Sequence, residues 1–278
     1  KLLLFCMVSM LSVFVHAASL QVTYHIGDAT YTSTGTEGEL SKLLGDNAMK
    51  VTQLSVNGYL NDADIITLQQ MAGGTTEKGS LKSLNLSEAT FTTTGKKVPD
   101  NIFRDCKNLQ QVNLSNMTEI GKWAFNNCAL TEITIPASVT IIQEEAFKDC
   151  SALKTLKFEA GTSEKELVLK EEAFFGCGNM DLANGGVLPS RIISIAARTF
   201  QGCGITKLTL PTNEKLTGIT RKLDFNGVQT DNMGALGYGA FFGCSKLTDL
   251  TIPANVTVIN EVVFQDCNLQ NVIFDDAT

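Results

Sequence analysis

Leu130-Thr131-Glu132-Ile133-Thr134-Ile135-Pro136-Ala137-Ser138-Val139-Thr140-Ile141-Ile142-Gln143-Glu144-Glu145-Ala146-Phe147-Lys148-Asp149-Cys150 is one unit of a pattern that fills most of this chain. Its first part alternates apolar and polar residues, as a half-buried strand does. Pro136 then removes the N–H that a continued ladder would need, so the strand turns there. Val139 to Ile142 is rich in β-branched residues and predicts a second, short strand. Ala146 and Phe147 point inward, and Cys150 closes the turn. The Phe-x-x-Cys signature recurs seven times, at Phe103/Cys106, Phe125/Cys128, Phe147/Cys150, Phe174/Cys177, Phe200/Cys203, Phe241/Cys244 and Phe264/Cys267. Successive copies are 22, 22, 27, 26, 41 and 23 residues apart. A repeat of that length stacks its neighbours into a solenoid.

The matching strand runs begin at Leu81, Leu109, Leu130, Leu153, Ile205, Leu247 and Leu269, while the unit at Met180 is degenerate and loosened by Gly185-Gly186. Pro136, Pro189, Pro211 and Pro253 are each expected to end a strand. An insertion of about 212–239 separates Pro211 from its Phe, and Leu216, Ile219, Leu223 and Phe225 within it are available to pack. The fold class is therefore an α/β to mainly β repeat, a right-handed curved stack of coils about 22 residues long. Each Phe is expected to stack on the Phe of the next coil.

Before the repeats, Glu39 to Gly45 reads as a short helix ending at a glycine, Val51 to Val56 as a strand, and Asp62 to Ala72 as a helix capped by Asn61 and stopped at Gly73-Gly74. This mixed α/β piece would cover the open end of the stack. Residues 1–17 read as a secretory signal peptide: Lys1, an apolar run from Leu2 to Val15, then Val15-His16-Ala17 with small residues at −3 and −1. The initial Met is then missing. An uncleaved anchor is the alternative, although the run is short for a membrane span. The domains expected are 1–17 signal peptide, 18–80 N-terminal region and cap, and 81–278 repeats. The last unit stops midway at Asp275 to Thr278, which reads as a fragment of a longer protein.

The whole sequence of 278 residues carries 22 Lys and Arg against 29 Asp and Glu, a net charge of −7, with no basic block. That argues against nucleic acid as a partner. Hydrophobic content of 44% is ordinary for a folded chain. No other long apolar run exists, so the mature chain is not expected to span a membrane. Export favours disulfides, and equivalent cysteines of adjacent coils would fall near bridging range. Their side chains would point in parallel, however, and the repeat cysteines read better as buried thiols acting as small hydrophobes with weak S–H donors. No metal and no cofactor is expected, because no CxxC occurs and His25 is the one His beyond the signal segment.

Catalysis finds little support. A Ser-His or Cys-His pair needs a base, and His25 lies far in sequence from every repeat cysteine. Gly234-x-x-Gly237-x-Gly239 lacks the Lys-Ser/Thr of a phosphate loop and reads as a flexible turn. Glu144-Glu145 and Glu171-Glu172 read as a solvated convex edge. Trp123 beside Ala124-Phe125 is a contact residue or, more simply, a shield for the core edge. The polar positions of the strand runs should face solvent on the concave sheet. The candidate binding surface is therefore Asn85, Gln111, Asn113, Glu132, Thr134, Thr155, Lys157, Lys207, Thr209, Asp249 and Thr251. It has no exposed aromatic, which hot spots usually contain, and a merely solvated sheet is the plain alternative.

The leader, the cap and units of the form Leu-x-x-Leu-x-Leu-Pro…Ala-Phe-x-x-Cys together resemble the BspA-like leucine-rich repeat surface proteins, over residues 40 to 278. Leu43-Leu44-Gly45-Asp46-Asn47 through Leu68-Gln69-Gln70-Met71-Ala72-Gly73 is similar to that family's bacterial N-terminal cap. The resemblance implies a leucine-rich repeat solenoid, secreted or held at the cell surface, and no catalytic motif. It implies adhesion to host matrix proteins, host cells or other bacteria. An extracellular protein or glycan would be the ligand. The alternatives are a structural spacer displaying a downstream domain and, more remotely, a glycan hydrolase accessory protein.

Overall fold

The computed structural model describes residues 18–74, 79–160, 165–216, 236–259 and 262–275. The leader segment, most of the 212–239 insertion, and Ile219, Leu223, Phe225 and Gly234 with it, lie outside the described residues. The N-terminal region forms β1 (Ser19–Ile26), β2 (Ala29–Thr36), α1 (Leu40–Leu44), β3 (Gln53–Leu60) and α2 (Asp62–Met71). The repeats follow with β4 (Ser83–Phe91), β5 (Lys97–Val98), β6 (Gln111–Asn113), β7 (Glu119–Ile120), β8 (Glu132–Ile135) and β9 (Ile141–Ile142). Next come β10 (Thr155–Phe158), β11 (Leu167–Leu169), β12 (Asp181–Leu182) and β13 (Ile192–Ile195), then β14 (Lys207–Thr209), β15 (Asp249–Pro253) and β16 (Asn271–Asp275).

Each coil has three sides. The first is the longer strand, and the repeat strands pair in parallel, in sheets of order β2-β1-β3-β4-β6, β8-β10-β12 and β14-β15-β16. The second is the short β-branched strand, stacked as β5-β7-β9-β11-β13. Parallel pairing is what a chain that always winds the same way must produce. The third side is the Ala-Phe-x-x-Cys turn. There Phe103, Phe125, Phe147 and Phe200 donate their N–H to the carbonyl of Ala124, Ala146, Ala173 and Ala240 in the next coil, each at 2.8 Å.

The seven Phe rings form one column with centroids 5.1–5.4 Å apart and planes within 21° of parallel. All but Phe264 are fully buried. The residues two before and two after Phe125 and Phe147 take left-handed backbone: Trp123, Asn127, Glu145 and Asp149 have φ between 54° and 58°. The same holds two residues after every other Phe, where Asp105, Gly176, Gly202, Gly243 and Asp266 stand. Gly, Asn and Asp tolerate that region best, so the turn is written in the residue before each Cys.

Both helices of the N-terminal region form where the sequence predicts them, the strand expected over Val51 to Val56 runs instead from Gln53 to Leu60, and a strand pair is added. Asn61 accepts from the N–H of Ala63 and Asp64, and the Asp64 side chain returns the bond to Asn61 in a capping box. Asp64 is buried and also accepts from Gly38 at 2.6 Å and Leu40 at 2.9 Å, so one carboxylate ties both helix starts together. The hairpin β1–β2, joined through Gly27 and Asp28, has no counterpart in the sequence reading. β3 pairs in parallel with β4 from Gln53↔Ser83 to Leu60↔Phe91, so the sheet runs without a break from cap into repeats.

Two expectations need correction. Pro253 ends β15 as expected, but Pro189 ends no strand: β12 stops at Leu182, and only the isolated bridge Val187↔Thr209 precedes the proline. Val256 to Ile259 has the β-branched composition of a second strand but forms none, and Val258 and Ile259 are exposed. Composition makes a strand only where a neighbour supplies the pairing.

The degenerate unit at Met180 is one residue short. Leu153 and Met180 hold the same place, each donating to the carbonyl of the Cys three residues earlier, yet Thr155 pairs with Asp181. The strand ladder breaks after β12, and the Asp181 carboxylate bridges the gap by accepting from the N–H and hydroxyl of Thr206 at 3.1 and 2.7 Å. Gly186 has φ +88°, and a Cβ there would lie 2.1 Å from the Lys207 carbonyl oxygen, so only glycine passes.

Candidate binding surface

The strand runs put their leucine-like positions inward and their polar positions outward, and the register lines the latter into rows. One row crosses five strands: Thr32, Thr23, Ser55, Asn85 and Asn113 are successive partners. Beyond it, Glu132 pairs with Thr155, and Thr134 with Lys157. Lys207 pairs with Asp249, and Thr209 with Thr251. All eleven candidate residues thus lie on the outward positions of the strand face, in two groups divided by the break after β12. Gln111, Asn113, Glu132, Thr134, Thr155, Lys157 and Lys207 are exposed; Asn85, Thr209, Asp249 and Thr251 are half-buried. Thr248 and Asn271 hydrogen-bond the Asp249 carboxylate and hold its pKa below the usual carboxylate range.

The face is not uniform. The ladder is also interrupted between β6 and β8. Those strands are linked by Thr131 N–H to the Gln110 carbonyl at 2.9 Å and by the Gln111 amide to the Glu132 carboxylate at 3.4 Å. Val112 is only half-buried there, whereas its equivalents Leu84, Ile133 and Leu156 are buried. A cleft of about 300 Å³ opens at this point, over Val112, Leu114 and Pro136 and between Gln111, Asn113, Ser115, Glu132, Thr134, Lys157 and Glu159. Five of the eleven sequence-derived candidates line it. Ser115 and Glu159 were missed because they lie just past their strands, where the alternation that marks outward positions has ended. The outward cap positions Thr23, Thr32 and Ser55 were missed because the cap strands have no repeat signature.

Chemically the cleft offers amides, hydroxyls, two carboxylates and one ammonium around a small apolar floor. Glu159 accepts from the Ala137 N–H at 3.3 Å, and Asn113 accepts from the Ser115 N–H at 3.0 Å, which fixes the rim. This is equipment for hydrogen bonding a polar ligand. No group of three or more His, Cys, Asp and Glu placed to hold a metal occurs among the described residues.

The other motifs resolve into structure. Lys122 Nζ and Arg104 Cζ lie 4.5 and 5.5 Å from the Trp123 ring centroid, so this chain's own cations cover the ring. His25 Nδ1 lies 3.1 Å from the Thr30 hydroxyl across the hairpin. Glu145 and Glu172 pair with Lys148 at 3.2 and 2.6 Å, and Glu171 and Glu172 with Arg198 at 2.7 and 2.9 Å, a charged ridge beside the Phe column. Gly239, at φ +61°, begins the turn before Phe241. No helix among the described residues is long and apolar enough to cross a membrane.

Residues 75–184 and 168–278 match the model of the BspA type leucine rich repeat region, in six copies. Among solved structures, the chain is similar to a leucine rich repeat protein of T. pallidum at 20% identity and TM-score 0.49, over 80% of this chain and 78% of that one. It is similar to a leucine rich cell surface protein of Faecalibacterium prausnitzii at 23% identity and TM-score 0.29, over 71% and 64%. A leucine-rich repeat protein of Bacteroides ovatus matches at 18% identity and TM-score 0.40, over 91% and 67%. No curated protein matches. A coil of Leu-x-x-Leu-x-Leu strand, Phe column and cysteine turn, repeated through the matched residues, places this chain in the BspA-type leucine-rich repeat family.

Proposed function

We propose that this is an exported, surface-displayed repeat module that binds an extracellular protein or glycan through its polar strand face, centred on the cleft between β6 and β8. The cleft carries the reading: at this interruption of the strand face an apolar floor opens beneath a hydrogen-bonding rim. Membership of the BspA-type family supports a binding role, and the leader-like sequence of residues 1–17 supports export.

The test is binding of the full chain to immobilised matrix proteins and mucin glycans, with and without the combined change Gln111→Ala, Glu132→Ala and Lys157→Ala. These side chains are exposed, so the fold should survive their loss. At least about tenfold weaker binding at an unchanged melting temperature is expected, about 1.4 kcal/mol. A folded wild type that binds none of these ligands, or a triple variant that binds as tightly, overturns the reading.

A further inference from the structure

The strands β6 and β8 belong to adjacent coils yet form no ladder. They are joined at the strand entry, where the Thr131 N–H reaches the Gln110 carbonyl at 2.9 Å. In a parallel ladder both main-chain groups of a residue face one neighbour, and successive residues face opposite neighbours. Gln111 donates to the Lys82 carbonyl, so Gln111 and Asn113 face β4 and Val112 faces β8. The Ile135 carbonyl accepts from Glu159, so Ile133 and Ile135 face β10 while Glu132 and Thr134 face β6. The main-chain groups of Val112, Glu132 and Thr134 thus meet across the gap without the paired bonds of a ladder, and all three residues line the cleft.

The gap is short. Just past it the Leu114 carbonyl accepts from the Met117 N–H at 2.8 Å, and the Ala137 N–H goes to Glu159. Beneath it lies the apolar floor of Val112, Leu114 and Pro136, and no aromatic ring lines the cleft.

We infer that the cleft takes the acetamido group of an N-acetylated sugar in a neutral glycan. The inference rests on the binding reading above and names the ligand of that same site. Each part of the group has a counterpart. Its methyl meets the apolar floor. Its N–H and C=O offer Val112, Glu132 and Thr134 the bonds that a paired strand would have made, and main-chain groups shut away from water need such partners. The sugar hydroxyls meet the rim. Asn113 Oδ1 is already held by the Ser115 N–H at 3.0 Å and hydroxyl at 2.6 Å, which leaves the Asn113 amide nitrogen to donate. Glu159 spends one oxygen on Ala137 and keeps the other to accept.

Other occupants fit less well. A volume of about 300 Å³ is at the low end for ligand sites. A helix needs a long apolar groove, and an added strand needs an open edge several residues long. Glu132 and Glu159 oppose an anion and Lys157 opposes a cation, whereas a neutral ligand meets neither conflict. A sugar without the acetamido group sets only hydroxyls against the floor and leaves the main-chain groups unmatched.

The test uses the full chain and the methyl glycosides of N-acetylglucosamine and N-acetylgalactosamine, with those of glucose and galactose as controls. At least one acetylated sugar should bind at least about tenfold more tightly than its control, equally at low and high salt. In saturation-transfer NMR its acetyl methyl protons should receive the strongest signal. Val112→Phe fills the floor, and Thr134→Trp roofs the cleft from an exposed position; each should abolish binding. Where Val112→Phe destabilises the fold, Thr134→Trp decides. Equal binding of acetylated and control sugars, strongest saturation at the ring protons, or binding that survives Thr134→Trp overturns the inference. So does a chain that binds a matrix protein, loses it in the triple variant and binds none of the sugars; that result leaves the binding reading standing. A folded chain that binds neither sugars nor matrix proteins nor mucin glycans ends both.

Discussion

The thiol of Cys150 donates to the carbonyl oxygen of Phe125, one coil earlier, at 3.1 Å. Cys177, Cys203, Cys244 and Cys267 do the same to Phe147, Phe174, Phe200 and Phe241. Each of these carbonyls also accepts the N–H of the Cys in its own coil, as Phe125 does from Cys128 at 3.2 Å. The cysteine column is thus a ladder of weak donors laid over the Phe column, and the described cysteines are free. This explains why the position keeps sulfur: a small apolar side chain that still supplies one proton.

Replacing Cys150 tests that balance. Cys150→Ala leaves the Phe125 carbonyl its Cys128 partner, so the loss is a small cavity, about 1 kcal/mol. Cys150→Ser should cost more, about 2 kcal/mol, because a hydroxyl on a shorter bond is buried with a poorly placed acceptor. Urea melts of the two variants check the order; a serine variant as stable as wild type would show that polarity, not size, sets the site.

Phe147 lies between Phe125 and Phe174 at 5.2 and 5.1 Å, whereas Lys154 is exposed. Phe147→Ala should lose about 3–5 kcal/mol, a large share of the roughly 5–15 kcal/mol that usually holds a domain together. Lys154→Ala should change stability by less than about 0.5 kcal/mol. Equal melting temperatures for the two would refute the stacked column.

Alkaline pH should destabilise the protein through the same cysteines. Burial pushes the thiols of Cys106, Cys128 and Cys203 up from their ordinary range. A folded pKa above the unfolded one means that the native state keeps protons the unfolded chain releases. The stabilisation is complete below the unfolded thiol value, about 8.5, and drains away as pH rises toward the folded value. Between the two values each such thiol removes about 1.4 kcal/mol per pH unit. Denaturant midpoints at about pH 7.5 and 10, either side of the unfolded thiol value, measure it. A flat profile would mean wet thiols.

Asp64 holds three N–H groups, those of Gly38, Leu40 and Asn61, at 2.6, 2.9 and 3.0 Å. Asp64→Ala strands partly buried donors and removes the capping box, with an expected loss of about 2–4 kcal/mol. Hydrogen exchange should localise the damage to α1 and α2 while the distal coils stay protected, as nearest-neighbour stacking requires. Uniform loosening of every coil would argue against that independence.

The coils were legible because Phe147 and Cys150 recur at a spacing that only a stack satisfies. The helices were legible because Asn61, Gly45 and Gly73 carry local end signals. The Asp, Asn or Gly before each Cys is a readable mark of the left-handed turn, yet its meaning emerges only once the backbone angles are known. The hairpin β1–β2 was not legible, since its Thr-rich strands carry no repeat to anchor them. The outward row of Asn85, Asn113 and Thr134 followed from simple alternation.

Period, inward ring, inward sulfur and outward polar rows are local properties of the chain, and the sequence by itself determined them, because each coil repeats the same side-chain alternation. The interruption between β6 and β8 and the cleft it opens were decided only in three dimensions. Whether two strands pair depends on what lies beside them, often a whole coil away along the chain, and no residue's own preference encodes its neighbour's position.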